Sequence, residues 1–133
     1  MVIRNESDFY QKVLKKYFFN HKGIFHIRVE NKLCRGTPDI WFSITDLSIA
    51  VPDGWIELKY ENNPLSPAQK DFIDDCGQYA RHWTFYWQKD KIKIVSRNEF
   101  YRYVVFSKDF FFFEVIDAMY MTNHGYGEKV ISD

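Results

Sequence analysis

The spacing of apolar residues near the start of the chain predicts an amphipathic helix over about residues 6–20. Phe9, Val13 and Tyr17 recur every four residues there and would form one apolar stripe. Asn5 is a favourable N-cap residue, because its side-chain oxygen can accept a hydrogen bond from a free N–H of the first turn. The chain is therefore expected to open with a helix that packs one face on the core.

Three short segments after this helix have the character of β-strands, at about residues 24–30, 38–44 and 55–60. In the first segment apolar and polar residues alternate, so Phe25 and Ile27 are expected to face the core. The alternation predicts three half-buried strands in succession.

The second half predicts another helix and a hairpin. Ser66 followed by Pro67, with Gln69 three residues after the cap, has the pattern of a capping box, and the helix is expected to run to about Tyr79. Residues 83–88 and 91–96 alternate as the two arms of a hairpin. Beyond them the pattern fits either a helix from a Ser107 cap to about residue 120 or a strand at 110–113, followed by a loose tail.

These elements predict an α+β domain in which helices flank one mixed sheet. The 133 residues suit one domain, with a core over about residues 6–96 and a helical extension over about 97–133. Two cysteines are too few for a disulfide framework. Charged residues interrupt the most apolar stretch, and the N-terminus lacks a signal-peptide pattern, so we expect a soluble, cytoplasmic protein with no membrane partner.

The net charge of zero conceals an uneven distribution. Residues 11–35 contain seven basic residues and one acidic residue, a net charge of +6, whereas residues 109–133 have a net charge of −4. Neutrality excludes a uniformly basic nucleic-acid-binding protein. A local basic surface remains compatible with nucleic acid, and binding to it would then depend on salt.

Candidate chemistry is concentrated on the second and third predicted strands. Glu57 and Lys59 are two residues apart, so their side chains point to the same face, and Asp39 begins the neighbouring strand. Two convergent carboxylates suit Mg²⁺ or Mn²⁺, and Lys59 could stabilise charge on a phosphate, orient a water or act as a general base. An E-x-K sequence on a strand is more often an ordinary solvated ion pair, so each motif alone is weak.

Taken together, the motifs resemble the PD-(D/E)XK nuclease superfamily. They are most similar to the stand-alone virus-type VRR-NUC nucleases, which are related to archaeal-type Holliday junction resolvases. The resemblance rests on an acid of the first helix, on Gly36-Thr-Pro-Asp39, on Glu57-Leu-Lys59, and on Leu65-Ser-Pro-Ala-Gln69. It implies a restriction-endonuclease-like α-β-β-β-α-β core.

The resemblance also implies roles for individual residues. Asp39 and Glu57 would bind Mg²⁺, or Mn²⁺ as a substitute, together with the backbone carbonyl of Leu58. Lys59 would be the catalytic lysine, and Gln69 would line the site. Glu6 would be the helix acid, binding the metal directly or through water.

Two of these roles have alternatives. Asp8 competes with Glu6 as the helix acid, although Glu6 shares a face with the apolar stripe. Either acid could simply stabilise the first turn of its helix. Gln69 could serve only the capping box with Ser66, or could have both roles.

The basic segment supplies candidate DNA contacts. These residues are Lys12, Lys16, Arg28, Lys32 and Arg35, and ordinary surface charge is an equally good interpretation of them. Trp41 and Trp55 could stack on bases, although strand aromatics more often belong to the core. Core packing would explain part of the aromatic run Phe110–Phe113, and a homodimer interface would explain the rest.

Our leading hypothesis is a Mg²⁺-dependent endonuclease that hydrolyses DNA phosphodiester bonds without a nucleotide cofactor. The resemblance implies selectivity for branched DNA or Holliday junctions, in phage replication, recombination or repair. The alternatives are a DNA-binding module that does not cleave and an oligomeric interaction module on the same fold.

Overall fold

One mixed sheet organises the protein. The computed structural model describes residues 1–30, 32, 34–46, 51, 53–76 and 79–130, and within these ranges seven strands pair in the order of the chain. Every neighbouring pair is antiparallel except β3 and β4, which are parallel. The strands are β1 Ile24–Arg28, β2 Ile40–Ile44, β3 Asp53–Tyr60, β4 His82–Gln88, β5 Lys91–Ser96, β6 Phe100–Val105 and β7 Glu128–Lys129.

The helices lie on both faces of this sheet, which confirms the α+β class. The first helix has three consecutive parts: α1 (Glu6–Phe9), a π-helical turn (Tyr10–Leu14) and α2 (Lys15–Tyr17). As expected, Asn5 caps it by accepting a hydrogen bond from the Asp8 N–H at 2.8 Å. The helix α3 (Pro67–Cys76) joins the parallel strands β3 and β4, and α4 (Phe111–Asn123) follows β6.

The core lies between one sheet face and two of these helices. Ile56, Leu58, Phe85 and Ile94 are fully or almost fully buried on that face. The Trp83 indole N–H donates to the Met119 carbonyl at 3.0 Å, which joins the sheet to α4. The opposite face carries Glu57 and Lys59 and is covered in part by α3.

The expected orientation of β1 is wrong. Phe25 and Ile27 are 56% and 51% exposed, whereas His26 turns towards the first helix and its Nε2 lies 2.7 Å from the Tyr10 hydroxyl. The pairing with β2 explains this inversion, because His26 lies opposite Phe42, which faces the core. A strand's alternation specifies two faces, and its register with the next strand decides which one is buried.

The C-terminal part departs from the expected helical extension. A helix does form there, but it begins at Phe111 rather than after a Ser107 cap, and β6 and β7 flank it. The strand β7 pairs with Phe100 and Tyr101, in a region expected to be a loose tail. Phe111 and Phe112 enter the core, whereas Phe110 and Phe113 are exposed. The predicted helix end near Tyr79 is also wrong, since α3 ends at Cys76, and residues 77–78 lie outside the described ranges.

Candidate active site

Asp39 lies at the end of the polar loop, residues 29–39, which joins β1 to β2. Its carboxylate continues the pairing of β2 with β3. The ladder between the strands begins at Ile40 and Ile56. Beyond that pair, Asp39 Oδ2 accepts the Leu58 N–H at 2.8 Å, so a side chain replaces a backbone acceptor. Its other oxygen, Oδ1, accepts from Lys32 Nζ at 2.9 Å. Asp39 is thereby held beside β3 with both oxygens fixed.

Glu57 is a buried carboxyl group with one unpaired oxygen. Its residue is 3% exposed, and Oε1 accepts from the Gln69 amide at 2.6 Å. Oε2 is buried, and no hydrogen-bond partner for it is found among the described residues. Burial, followed by the nearby charge of Asp39, raises the pKa of Glu57 to about 8. A buried acceptor of this kind is costly unless a proton or a cation meets it.

Lys59 and Glu6 complete this corner of the sheet. Lys59 is 9% exposed and lies two residues from Glu57 on β3. Burial is the main cause that raises the pKa of Glu6, and the negative charge of Asp39 raises it further. The positive charge of Lys59 is the strongest influence that lowers this pKa. Glu6 is therefore close enough to sense both Lys59 and Asp39.

Asp8, the alternative helix acid, is engaged elsewhere. Its Oδ2 accepts from the Arg4 backbone N–H at 3.1 Å and from Arg4 Nε at 3.2 Å. Its Oδ1 lies 3.8 Å from Lys12 Nζ. The hydrogen bond from the Arg4 backbone is the main reason that the pKa of Asp8 is lowered. The structure thus brings Glu6, and not Asp8, towards Asp39 and Lys59.

Gln69 completes the capping box and also contacts Glu57. Its Oε1 accepts the Ser66 N–H at 2.8 Å, while its own backbone N–H donates to Ser66 Oγ at 3.1 Å, which completes a capping box. The same side chain donates from Nε2 to Glu57. The start of α3 is therefore tied directly to the buried carboxyl group.

Gly36 allows the polar loop to reach α3. Its φ is +83°, and a Cβ at this position would lie 2.1 Å from the Ala68 carbonyl oxygen and 2.9 Å from the Gln69 nitrogen. Only glycine can occupy such a contact without displacing the backbone. The loop that carries Asp39 and the helix that carries Gln69 are thus packed against each other.

A cleft of about 610 Å³, which we call the basic cleft, opens beside Asp39. Lys32 and Arg28 line it, and Arg28 is held with its guanidinium carbon 4.4 Å from the centre of the Tyr10 ring. Lys15 also lines the cleft and was missed from the sequence, although it shares a helix face with Ser7 and Gln11. These side chains place positive charge at the entrance to the carboxylate pair.

The other expected DNA-binding residues are not brought together there. Lys12 Nζ donates to the Val2 carbonyl at 3.1 Å, and Lys16 is exposed but does not line the cleft. Arg35 lines a separate groove along α3 of about 810 Å³. Trp41 and Trp55 form an edge-to-face pair with centroids 4.9 Å apart. Trp55 packs on Phe72 of α3, so this tryptophan supports the helix.

Sequence reasoning also missed Tyr86. This residue lies opposite Lys59 in the register of β3 and β4. Burial, with the charge of Glu57 as the second cause, raises the pKa of Tyr86. The alternation of β4 was a usable signal, because it places Tyr86 on the same sheet face as Thr84, which lies opposite Glu57.

A cation at this site would be held by few protein ligands. Across the described residues, no group of three or more His, Cys, Asp or Glu side chains is arranged to hold a metal ion. A metal here would rely on Asp39 and Glu57, with water or backbone oxygen completing its coordination, as hard divalent cations accept. The unpaired Glu57 Oε2 is the observation that favours such an ion.

Comparisons with known proteins do not assign the chain to a family. No protein-family model, curated protein or solved structure matches it. The geometry of Asp39, Glu57, Lys59 and Gln69 is therefore what bears on function. Within the described ranges, no helix is long and apolar enough to cross a membrane.

Proposed function

We propose that this protein is a Mg²⁺-dependent endonuclease that hydrolyses phosphodiester bonds in DNA. The observation that carries the proposal is the buried Glu57 carboxyl group, which lies near Asp39 and whose Oε2 has no hydrogen-bond partner among the described residues. A carboxyl group buried near a second carboxylate is unfavourable for folding, because burial and the neighbouring charge both oppose its ionisation. Such an arrangement is typical of a site whose charge is balanced by a ligand.

Asp39 and Glu57 would hold the divalent ion, with Mn²⁺ as a substitute and the Leu58 carbonyl as the further ligand that the nuclease resemblance implies. The ion would polarise a phosphodiester and activate a water for attack. Gln69 fixes the orientation of the Glu57 carboxyl group through its 2.6 Å hydrogen bond. Asp39 is oriented in the same way by the Leu58 N–H.

Lys59 would stabilise negative charge on the reacting phosphate. Its position on β3, on the same face as Glu57, supports this role, and a buried ammonium group acts strongly because little water screens it. Glu6 lies close enough to contribute a water-mediated contact to the ion. The basic cleft with Lys15, Arg28 and Lys32 would receive the phosphate backbone.

Selectivity for branched DNA and a homodimeric assembly extend this proposal. The exposed apolar residues of β1, Phe25 and Ile27, and those beside α4, Phe110 and Phe113, are candidate contacts between subunits. Light scattering of Ile27→Glu and Phe113→Glu variants would separate the two surfaces. A monomer at all concentrations would remove the dimer from the proposal and leave the active site unaffected.

Nuclease assays test the proposal directly. Single-stranded, duplex, flap and four-way DNA would be incubated with Mg²⁺, Mn²⁺ or chelator, using the wild type, Lys59→Ala and Asp39→Ala. We expect cleavage that requires the metal and is lost in both variants. Activity that persists in chelator or in both variants would refute the proposal, and tight binding without turnover in any metal would favour the DNA-binding module.

A further inference from the structure

A row of basic and aromatic residues leads from the candidate active site across the sheet. Lys59 lies opposite Tyr86, Tyr86 opposite Lys93, and Lys93 opposite Tyr103 in the strand register. Residues opposite each other point to the same face, and strands are about 4.8 Å apart. Tyr103 therefore lies about 14 Å from Lys59 along the direction of the sheet hydrogen bonds.

The near half of this row passes along α3. A groove of about 330 Å³ separates α3 from β4 and β5, and Tyr86, Lys93 and Lys70 are among the residues that line it. Tyr86 lies opposite Lys59 in the strand register, so part of the groove lies beside the candidate active site. Lys93 also lines the groove and lies opposite Tyr103, so the groove lies between that site and the Tyr103 end of the row.

The far half of the row belongs to a partly exposed surface, which we call the Tyr–Lys face: Lys91, Lys93, Tyr101 and Tyr103. Lys91 Nζ lies 4.3 Å from the centre of the Tyr103 ring, and Lys93 Nζ lies 4.3 Å from that of Tyr101. The two rings meet edge to face with centroids 5.7 Å apart. Each tyrosine is therefore held in position by a neighbouring cation and by the other tyrosine.

Burial and charge indicate what this face could bind. Tyr103 is 46% exposed, although a large aromatic side chain gains free energy when it is covered. Glu128, a carboxylate in contact with the face, accepts the Tyr101 hydroxyl at 2.8 Å, so it is already engaged. Within the described ranges β7 pairs only with Phe100 and Tyr101, so the edge of β6 beside Tyr103 has no strand partner.

We propose that the Tyr–Lys face binds a single-stranded segment of nucleic acid that continues from the active site. Bases would stack on Tyr103 and Tyr101, while Lys91 and Lys93 would contact the phosphates. Aromatic rings interleaved with cations bind single strands in this way without reading sequence, and a sheet face of this size accommodates about two or three bases. The inference rests on the proposed nuclease function, because that function makes nucleic acid the ligand and sets the direction of the strand.

Binding without cleavage tests this surface by itself. Fluorescence anisotropy would measure the affinity for a labelled oligothymidylate in excess chelator, for the wild type, Tyr103→Ala and Tyr103→Phe. The matched control is Tyr120→Ala, which removes a partly exposed tyrosine of α4 on the other side of the sheet. We expect Tyr103→Ala to weaken binding roughly 5- to 100-fold, while Tyr103→Phe and the control stay close to the wild type.

The salt dependence of the same binding provides the second measurement. Replacing Lys91 and Lys93 together with alanine should lower the slope of log affinity against log salt by roughly two phosphate contacts. An unchanged affinity of Tyr103→Ala, or no binding of oligothymidylate by the wild type, would overturn the inference. Binding that depends on Tyr103 in a protein that cleaves no DNA would instead refute only the nuclease function.

Discussion

Two regions on the same face of the sheet differ mainly in whether a helix covers them. At β3, α3 and the polar loop close over Glu57 and Lys59, which are 3% and 9% exposed. At β6, two strands beyond β4, no helix within the described ranges covers the Tyr–Lys face, and Tyr103 is 46% exposed. Burial raises the pKa of Glu57 in the covered region, whereas the open region presents the Tyr103 ring to solvent.

The difference shows how one alternating sheet can provide both a reactive site and a recognition surface. Removing water from a carboxyl group raises its pKa and strengthens its interaction with any ion that replaces the water. An exposed side chain such as Tyr103 remains free to contact a ligand. Substitutions in the two regions should therefore have different consequences.

The buried cation should matter most. Lys59→Met keeps the apolar stem of the side chain and removes its charge, so the fold should persist while cleavage falls roughly 10²- to 10³-fold. DNA affinity measured in chelator should change little. Lys108→Met, at an exposed position, is the control and should cleave like the wild type. A Lys59→Met protein that folds and remains fully active would show that this lysine is structural.

Gln69 tests how the covered site is held. Gln69→Glu keeps a cap acceptor for Ser66 but loses the N–H donor to Glu57, so cleavage should fall roughly 10- to 100-fold. Ser66→Ala removes only the cap oxygen, and should lower the free energy of unfolding by about 1 kcal/mol while activity is kept. Equal activities of Gln69→Glu and Ser66→Ala would mean that the Gln69 side chain has no role in the reaction.

Much of the covered site could be predicted from the sequence, because it depends on short motifs. The two-residue spacing of Glu57 and Lys59 on a strand puts both side chains on one face. Ser66 with Gln69 marks the start of a helix whatever the tertiary structure around it. The orientation of β1 could not be predicted, because it depends on pairing with Phe42 across a loop. Lys15 was missed because the sequence alone does not fix which lysines of this helix line the cleft beside the end of β1.

Gly36 tests whether the packing of the loop on α3 shapes the site. Gly36→Ala combines a positive φ with a clash at the Ala68 carbonyl. Gly125→Ala has a similar φ of +78°, but its nearest atom is 3.6 Å away, in the Phe100 ring. The free energy of unfolding in urea should fall by about 1–2 kcal/mol for Gly125→Ala and by about 1–3 kcal/mol more for Gly36→Ala. Equal losses of unfolding free energy in Gly36→Ala and Gly125→Ala would mean that the polar loop shifts away from Ala68 at no further cost in stability.

Glu57 predicts how stability changes with pH. Its pKa in the folded protein, about 8, lies above its ordinary value of 4.5, so the folded state retains a proton that the unfolded state has lost. The contribution of Glu57 to stability is complete below pH 4.5 and is lost as the pH rises through about 8. Urea unfolding in chelator should show this decline. It should be absent in Glu57→Gln, and a similar decline in that variant would place its source elsewhere.

The smallest effects are expected in the basic cleft. Lys15→Ala should reduce DNA affinity a few-fold and lower the salt slope by about one phosphate contact. Lys16→Ala is the matched control, because Lys16 neighbours Lys15 but lies outside the cleft. Equal changes in the two variants would indicate a general effect of net charge.

The number of protons released when the protein binds a divalent metal tests directly whether Glu57 is a metal ligand. Because the folded protein holds a proton on Glu57 at neutral pH, a metal ion bound by this carboxylate must displace it. Calorimetric titration with Mn²⁺ at pH 7, repeated in buffers that differ in ionisation enthalpy, counts the protons. We predict release of about one proton per ion in the wild type and none in Glu57→Gln, with the release disappearing well above pH 8. Mn²⁺ binding without proton release, or the same release in Glu57→Gln, would contradict Glu57 as a metal ligand.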